Sequence, residues 1–178
     1  MKILQIKKLL ILTILLSSCS DTLDFNQLKD LKLNPIYDVS LIYFTVKQSD
    51  FLVNGIELTT VSDITRFTTF ENKFFRNNLL KAAINFEIEN RFNRKFTIDF
   101  DFLDANNKVV YSFSQLLIPA RERKFKQTQN IDITTNPLVL TSKKMKITIH
   151  LLQGVTPLDP HVKMFLLFKT SGKFYIGK

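Results

Sequence analysis

Phe96-Thr-Ile-Asp-Phe-Asp-Phe-Leu103 decides the fold class. Phe96, Ile98, Phe100 and Phe102 alternate with Thr97, Asp99 and Asp101, and a period of two places the first set on one face of a strand and the second on the other. One face is therefore core and the opposite one meets water. Ile84, Phe86 and Ile88 against Asn85, Glu87 and Glu89 repeat the pattern, as do Ile147, Ile149 and Leu151 against Lys146, Thr148 and His150. Further strands are expected over Ile36–Val46, Val61–Phe70, Val109–Ile118, Phe125–Ile133 and Val162–Lys169, about eight in all.

The breaks between these runs predict antiparallel pairing. Asp104-Ala-Asn-Asn-Lys108 and Asn54-Gly55 read as hairpin turns, because Asn and Gly tolerate the left-handed backbone that tight turns need. Pro119 closes one strand, and Gly154, Pro157 and Pro160 mark a long turn before the last. Helical spacing of Phe75, Leu79 and Ala82 or Ala83 predicts one helix over Asn72–Ala83, and Asn136–Lys144 adds a turn. Seventeen phenylalanines and no tryptophan supply large apolar side chains that carry no polar group to satisfy. The expected fold is all-β: an antiparallel two-sheet sandwich, immunoglobulin-like in the broad sense, with at most one short helix. Phe86-Glu-Ile-Glu-Asn90, Phe96–Leu103 and Leu117-Ile-Pro-Ala120 are loosely similar to the sandwich of late-embryogenesis-abundant type 2 proteins, which implies the same architecture.

The chain opens MKILQIKKLLILTILLSSCS: three lysines, an apolar run over Leu9–Leu16 broken only by Thr13, then small residues. This is the layout of a secretory signal, and the apolar run is about half the roughly 20 residues of a membrane-spanning helix. Leu16-Ser17-Ser18-Cys19 resembles the lipobox of bacterial lipoproteins. The resemblance implies cleavage between Ser18 and Cys19, a diacylglyceryl group on the Cys19 thiol and acylation of the new amino terminus. Several acyl chains at about 0.8 kcal/mol per buried methylene give stable anchoring, where one chain is marginal. Ser20, where an aspartate would imply retention in the inner membrane, implies the outer one. Ser20-Asp21 and Asp24 also resemble, faintly, the acidic tags of surface-exported lipoproteins, and an ordinary solvated linker reads the same way.

The expected organisation is a cleaved signal peptide over 1–18, a lipidated tether over 19–34 and a single sandwich domain over 35–178. Loss of the leader leaves 160 of the 178 residues and lowers the net charge from +9 to +6. Cys19 is the only cysteine, so no intramolecular disulfide is available and the domain relies on its core.

Chemistry is sparse in this sequence. His150 falls in the outward phase of its strand and His161 lies in the Pro-rich turn; neither belongs to a nucleophile or zinc motif, and both are expected at the solvated surface. Asp99, Asp101, Asp104 and Asn106 offer oxygen ligands, but the interleaved phenylalanines and the lack of a calcium-loop glycine and glutamate favour ordinary strand and turn roles. Glu87 and Glu89 form a same-face acid pair that also suits an exposed strand. The basic runs Arg121–Lys126 and Lys143–Lys146 suit either an anionic surface or the guarding of strand edges. Four glycines leave no phosphate-cradling loop.

No catalytic residue, metal or cofactor is expected, and export argues against nucleic acid. The leading expectation is a non-enzymatic lipoprotein at the outer membrane whose sandwich meets another envelope component. A glycan- or small-ligand-binding protein is the alternative, and an envelope hydrolase with a non-contiguous site is a further one.

Overall fold

The computed structural model describes residues 34–154, 157–159 and 161–177. The signal peptide, Ser18, Cys19 and nearly all of the tether lie outside the described residues. What is described is an all-β sandwich of eleven strands, two of them only two residues long.

One sheet runs in the order β1 (Ile36–Lys47), β11 (Phe165–Ile176), β5 (Leu79–Asn90), β9 (Phe125–Asp132). The other runs β4 (Thr60–Arg66), β10 (Lys144–Leu151), β6 (Phe96–Leu103), β7 (Val109–Ser112), with β8 (Leu116–Ile118) also paired to β6. Neighbours in both sheets are antiparallel. β2 (Leu52–Val53) and β3 (Ile56–Glu57) form a small hairpin around Asn54-Gly55, where both residues take positive φ (52° and 79°), as a two-residue turn requires.

The alternation in β6 holds along its length: Phe96, Ile98, Phe100 and Phe102 are buried, while Thr97, Asp99 and Asp101 are half-buried on the outside. Strand β10 does the same with Met145, Ile147, Ile149 and Leu151. Phe86 of β5 meets Phe100 edge to face at 5.4 Å, which joins the two sheets through their inner faces. Phe168 and Phe113 pack on the same pair, so the middle of the core is largely aromatic. Edge-to-face geometry suits rings with a negative face and a positive rim, and adds about 0.5–1.5 kcal/mol per pair beyond burial.

Several boundaries differ from the sequence expectation. The helix is only Lys73–Asn78 (α1), capped by the Asn72 side chain, which accepts from the Phe74 amide at 2.8 Å. From Leu79 the chain is strand, because β5 lies between β11 and β9, and Ala82, Ala83 and Ile84 are buried there. The strand expected over Val61–Phe70 stops at Arg66. Phe67 and Phe70 leave the sheet and turn inward, 4.8 Å apart, as part of the crossover to α1.

Val109–Ile118 divides at Phe113–Gln115 into β7 and β8. The last strand starts later than expected and runs on to Ile176, where Thr170 and Gly172 occupy core positions that break the apolar count. Both are explained by a bulge in β1 near Leu41. Thr170 Oγ1 accepts the Ile42 amide at 3.2 Å, and a Cβ on Gly172 would fall 2.9 Å from the Phe174 ring and 3.3 Å from Leu41 Cδ1.

The two flanks of the sandwich differ. On one, the Gln129 side chain of edge strand β9 both accepts from the Ser114 amide and donates to the Ser114 carbonyl, each at 2.8 Å, so a side chain bridges the two sheets at this point. On the other, β1 and β4 are edge strands separated by a groove of about 140 Å3 over Phe44, Val61, Ile147 and Ile149.

Candidate functional site

β1 ends at Lys47 and the chain turns through a 3-10 helix, Gln48–Phe51. Two bonds hold this turn: the Lys47 amide donates to Asp50 Oδ2 at 2.8 Å, and the Gln48 amide donates to the Met164 carbonyl at 3.1 Å. Phe51, fully buried against Phe92 and Phe96, pins it to the core. Between this turn and the segment leading into β11 lies a cleft of about 600 Å3, within the range of small-molecule sites. Leu52, Met164 and Phe165 line its apolar part, with Lys47 and Lys163 at the rim.

Gln48 is the unusual group in the wall, only 3% exposed. Its Nε2 donates to the Asp159 carbonyl, which fixes the orientation of the amide and leaves Oε1 buried with no hydrogen-bond partner. Such an oxygen costs about 1–3 kcal/mol until a donor reaches it. Neither rim lysine is ion-paired among the described residues. The cleft therefore offers two cations and an apolar surface, a set suited to holding a small organic anion, while Gln48 Oε1 lies buried behind its wall. Gln48 carried no signal in the sequence, because a glutamine at a strand end reads as solvated turn.

The residues singled out from the sequence fall elsewhere. His150 is not a free surface histidine: Nε2 lies 2.8 Å from Asp99 Oδ2, Nδ1 lies 3.1 Å from Thr60 Oγ1, and the His150 and Asp99 side chains are each about one-third exposed. Gln115 Nε2 donates to Asp99 Oδ1 at 2.8 Å and extends the chain of bonds across the outer face of this sheet. These groups stand on a strand face rather than in an enclosed pocket. His161 is exposed, and its backbone amide donates to Asp159 Oδ1.

Asp104 faces its own hairpin, with Oδ1 accepting from the amides of Asn106 and Lys108 at 2.8 and 2.9 Å. Asp99 is taken up by His150 and Gln115, so the candidate oxygen ligands do not converge. Among the described residues no three His, Cys, Asp or Glu side chains gather around one point. Glu87 pairs with Lys126 at 2.8 Å and Glu89 with Arg91 at 2.6 Å. The Lys126 ammonium, which donates to the Glu87 carboxylate, holds that carboxyl below the usual glutamate range.

The basic runs are partly neutralised as well. Lys143 lies 3.7 Å from Glu71, and Lys144 Nζ donates to Asn107 Oδ1 at 2.6 Å. Arg121, at φ 57°, donates its amide to the Phe92 carbonyl and belongs to the turn before β9. Among the described residues no helix is long and apolar enough to cross a membrane.

No protein-family model matches the chain, and no curated protein is significantly similar to it in sequence. Among solved structures, a protein of Parabacteroides distasonis ATCC 8503, provisionally described as secreted, aligns with a TM-score of 0.51 and 16% identity. The alignment covers 67% of this chain and 40% of that one, so this chain spans well under half the length of that neighbour. The likeness is one of fold.

A structure of infectious bursal disease virus, Gt strain, aligns at TM-score 0.45 and 7% identity over 81% of this chain and 32% of its own. The enzymatically active domain of tailspike protein 4 of bacteriophage CBA120 aligns at TM-score 0.42 and 8% identity, over 79% and 19% respectively.

Proposed function

We propose that the chain is a lipoprotein of the cell envelope, held at the outer membrane by lipid on Cys19, whose sandwich acts as a non-enzymatic accessory or interaction module for another envelope component. The anchor rests on Leu16-Ser17-Ser18-Cys19 at the end of a leader with basic and apolar parts. Glu87, Glu89, Asp104 and the Asp99–His150 pair hold strands and turns together. Growth on radioactive palmitate tests the anchor directly. The parent chain is expected to take up label and Cys19→Ser to take up none; equal labelling of the two would overturn it.

A second reading, small-ligand binding, is favoured by one observation, the 600 Å3 cleft whose apolar lining of Leu52, Met164 and Phe165 lies between Lys47 and Lys163. N-acetyl-phenylalaninate carries the apolar body and the negative charge that this cleft matches. Titration followed by NMR is expected to perturb resonances of Leu52, Met164 and Phe165, and to do so less in Lys163→Gln. A response spread evenly over the domain would remove this reading.

A further inference from the structure

The described chain begins at Asn34, beside the C-terminal end of β11, where the Ile176 amide donates to the Pro35 carbonyl at 3.1 Å. Apolar side chains are exposed at this end of the sheet. Ile36 is 58% exposed, Tyr37 39%, Phe74 47% and Leu80 48%. Tyr37 and Phe74 belong together: the Tyr37 ring lies 6.3 Å from Phe74 and 5.0 Å from Phe75, and Phe75 continues inward to Phe174 of the core. Leu80 borders Gly177, where an added Cβ would come within 2.5 Å of Leu80 Cδ1 and 3.5 Å of Asn34 Oδ1.

Cations stand on the same elements. Lys73 and Arg76 belong to α1, and Lys81 lies over the Tyr175 ring at 5.6 Å. None of the three lies within ion-pair distance of a carboxylate among the described residues. Lys81 does stand opposite Asp132 across β5 and β9, and that carboxyl is held below the usual aspartate range chiefly by hydrogen bonds from Thr134 and, to a lesser degree, by the Lys81 charge.

Aromatic and aliphatic side chains rimmed by lysine and arginine make up the surface that settles at a bilayer interface, with rings at headgroup depth and cations on anionic lipid. We propose that this end of the sandwich rests on the bilayer that carries the anchor, with Tyr37, Phe74 and Leu80 entering the interface and Lys73, Arg76 and Lys81 meeting anionic headgroups. The proposal rests on the lipid-anchor reading, since it is the place where the tether joins that selects a membrane over other partners. The sixteen residues from Cys19 to Asn34, joined by fifteen links, reach at most about 50 Å when extended. A lipid at their far end holds the patch at high effective concentration near the surface, so a weak contact suffices to orient the domain.

The contact is tested apart from the anchor. The mature chain from residue 19 carrying Cys19→Ser, which takes no lipid, is sedimented with vesicles of phosphatidylethanolamine and phosphatidylglycerol, 3:1. Weak binding is expected that falls several-fold in Phe74→Ser and in Leu80→Ser, falls with added salt, and is unchanged in Leu117→Ser. Leu117 is as exposed and lies on β8, against the opposite end of β6. Thermal unfolding of each variant separates loss of the patch from loss of the fold.

Absence of vesicle binding, or equal loss in all three variants, would overturn the proposal. So would a dimer in solution that Phe74→Ser dissolves while vesicles remain unbound, since the patch would then serve a second copy of the chain. If palmitate labelling of the parent fails, the anchor is lost, and the vesicle result alone then decides whether this surface meets lipid.

Discussion

The side-chain amide of Asn90 donates to the carbonyl of Arg94 at 2.8 Å and closes the turn between β5 and β6 on itself. The same nitrogen donates to the Pro119 carbonyl at 2.7 Å, and Oδ1 accepts the Phe92 amide at 2.9 Å. Asn90 is fully buried, so its removal strands two carbonyls and one N–H away from water. At about 1–3 kcal/mol for each unsatisfied group, offset by partial relaxation, Asn90→Leu is expected to lose about 3 kcal/mol. Urea denaturation measures this; a loss below about 1 kcal/mol would mean that water enters and replaces the amide.

Gly154 lies against the Arg94 side chain. A Cβ there would stand 2.3 Å from Arg94 Cδ, and Arg94 has little freedom to yield: Nε donates to the Leu152 carbonyl at 2.8 Å and Nη2 to Glu57 at 3.0 Å. Gly154→Ala is expected to destabilise by about 1–3 kcal/mol. Glu57→Gln, which loosens the guanidinium, is expected to reduce that penalty in a double-mutant cycle. Additive effects of the two changes would show that Arg94 moves aside without regard to Glu57.

Gln48→Met is expected to change stability by less than about 1 kcal/mol, although the residue is almost wholly buried. The substitution gives up the bond to Asp159 and removes an oxygen that has no partner, two effects of similar size and opposite sign. Thermal unfolding decides it: a clear loss would indicate that Oε1 already has a donor in solution.

Glu87 links the fold to pH. Its carboxyl is held below the usual value because Lys126 donates to the ionised form, so the native chain binds this proton less readily than the unfolded one. Its stabilisation is present above the ordinary glutamate value near 4.5 and is lost as pH falls through the lower native value. The pair is exposed and the effect correspondingly small. Lys126→Met is expected to flatten the acid limb of a stability–pH curve below about pH 4.5, and an unchanged limb would remove the ion pair as its cause.

The His150–Asp99 pair joins adjacent strands diagonally on the outer face of the sheet. With both side chains about one-third exposed, a coupling of about 0.5–1 kcal/mol is expected from a His150→Ala, Asp99→Ala cycle near neutral pH. A coupling indistinguishable from zero would leave the contact without energetic weight.

Strands with strict alternation were readable from the sequence because burial on one face imposes a period of two, as in Phe96–Leu103 and Lys144–Leu151. Where a core position holds a small or polar residue the period fades, and Thr170 and Gly172 concealed the second half of β11 for that reason. Ala82 and Ala83 suit a helix as well as a strand, and only placement between β11 and β9 decided between them. Asp99 and His150 were both legible as outward residues, but their pairing depends on strand register, which is a relation between distant segments. Gln48, Asn90 and Arg94 were illegible, since a buried amide or guanidinium in a loop has the same local sequence as an exposed one.

Gln129 behaves, toward Ser114, like a peptide unit borrowed from a neighbouring chain. At Ser114 the amide and carbonyl are thereby closed to an incoming strand, while β1, β4 and β9, each at the end of its sheet, keep an edge free for strand addition. Any fibrillar or domain-swapped form of this protein should therefore grow from β1, β4 or β9, and replacing Gln129 by a residue unable both to donate and to accept should add the Ser114 amide and carbonyl to the groups open to an incoming strand.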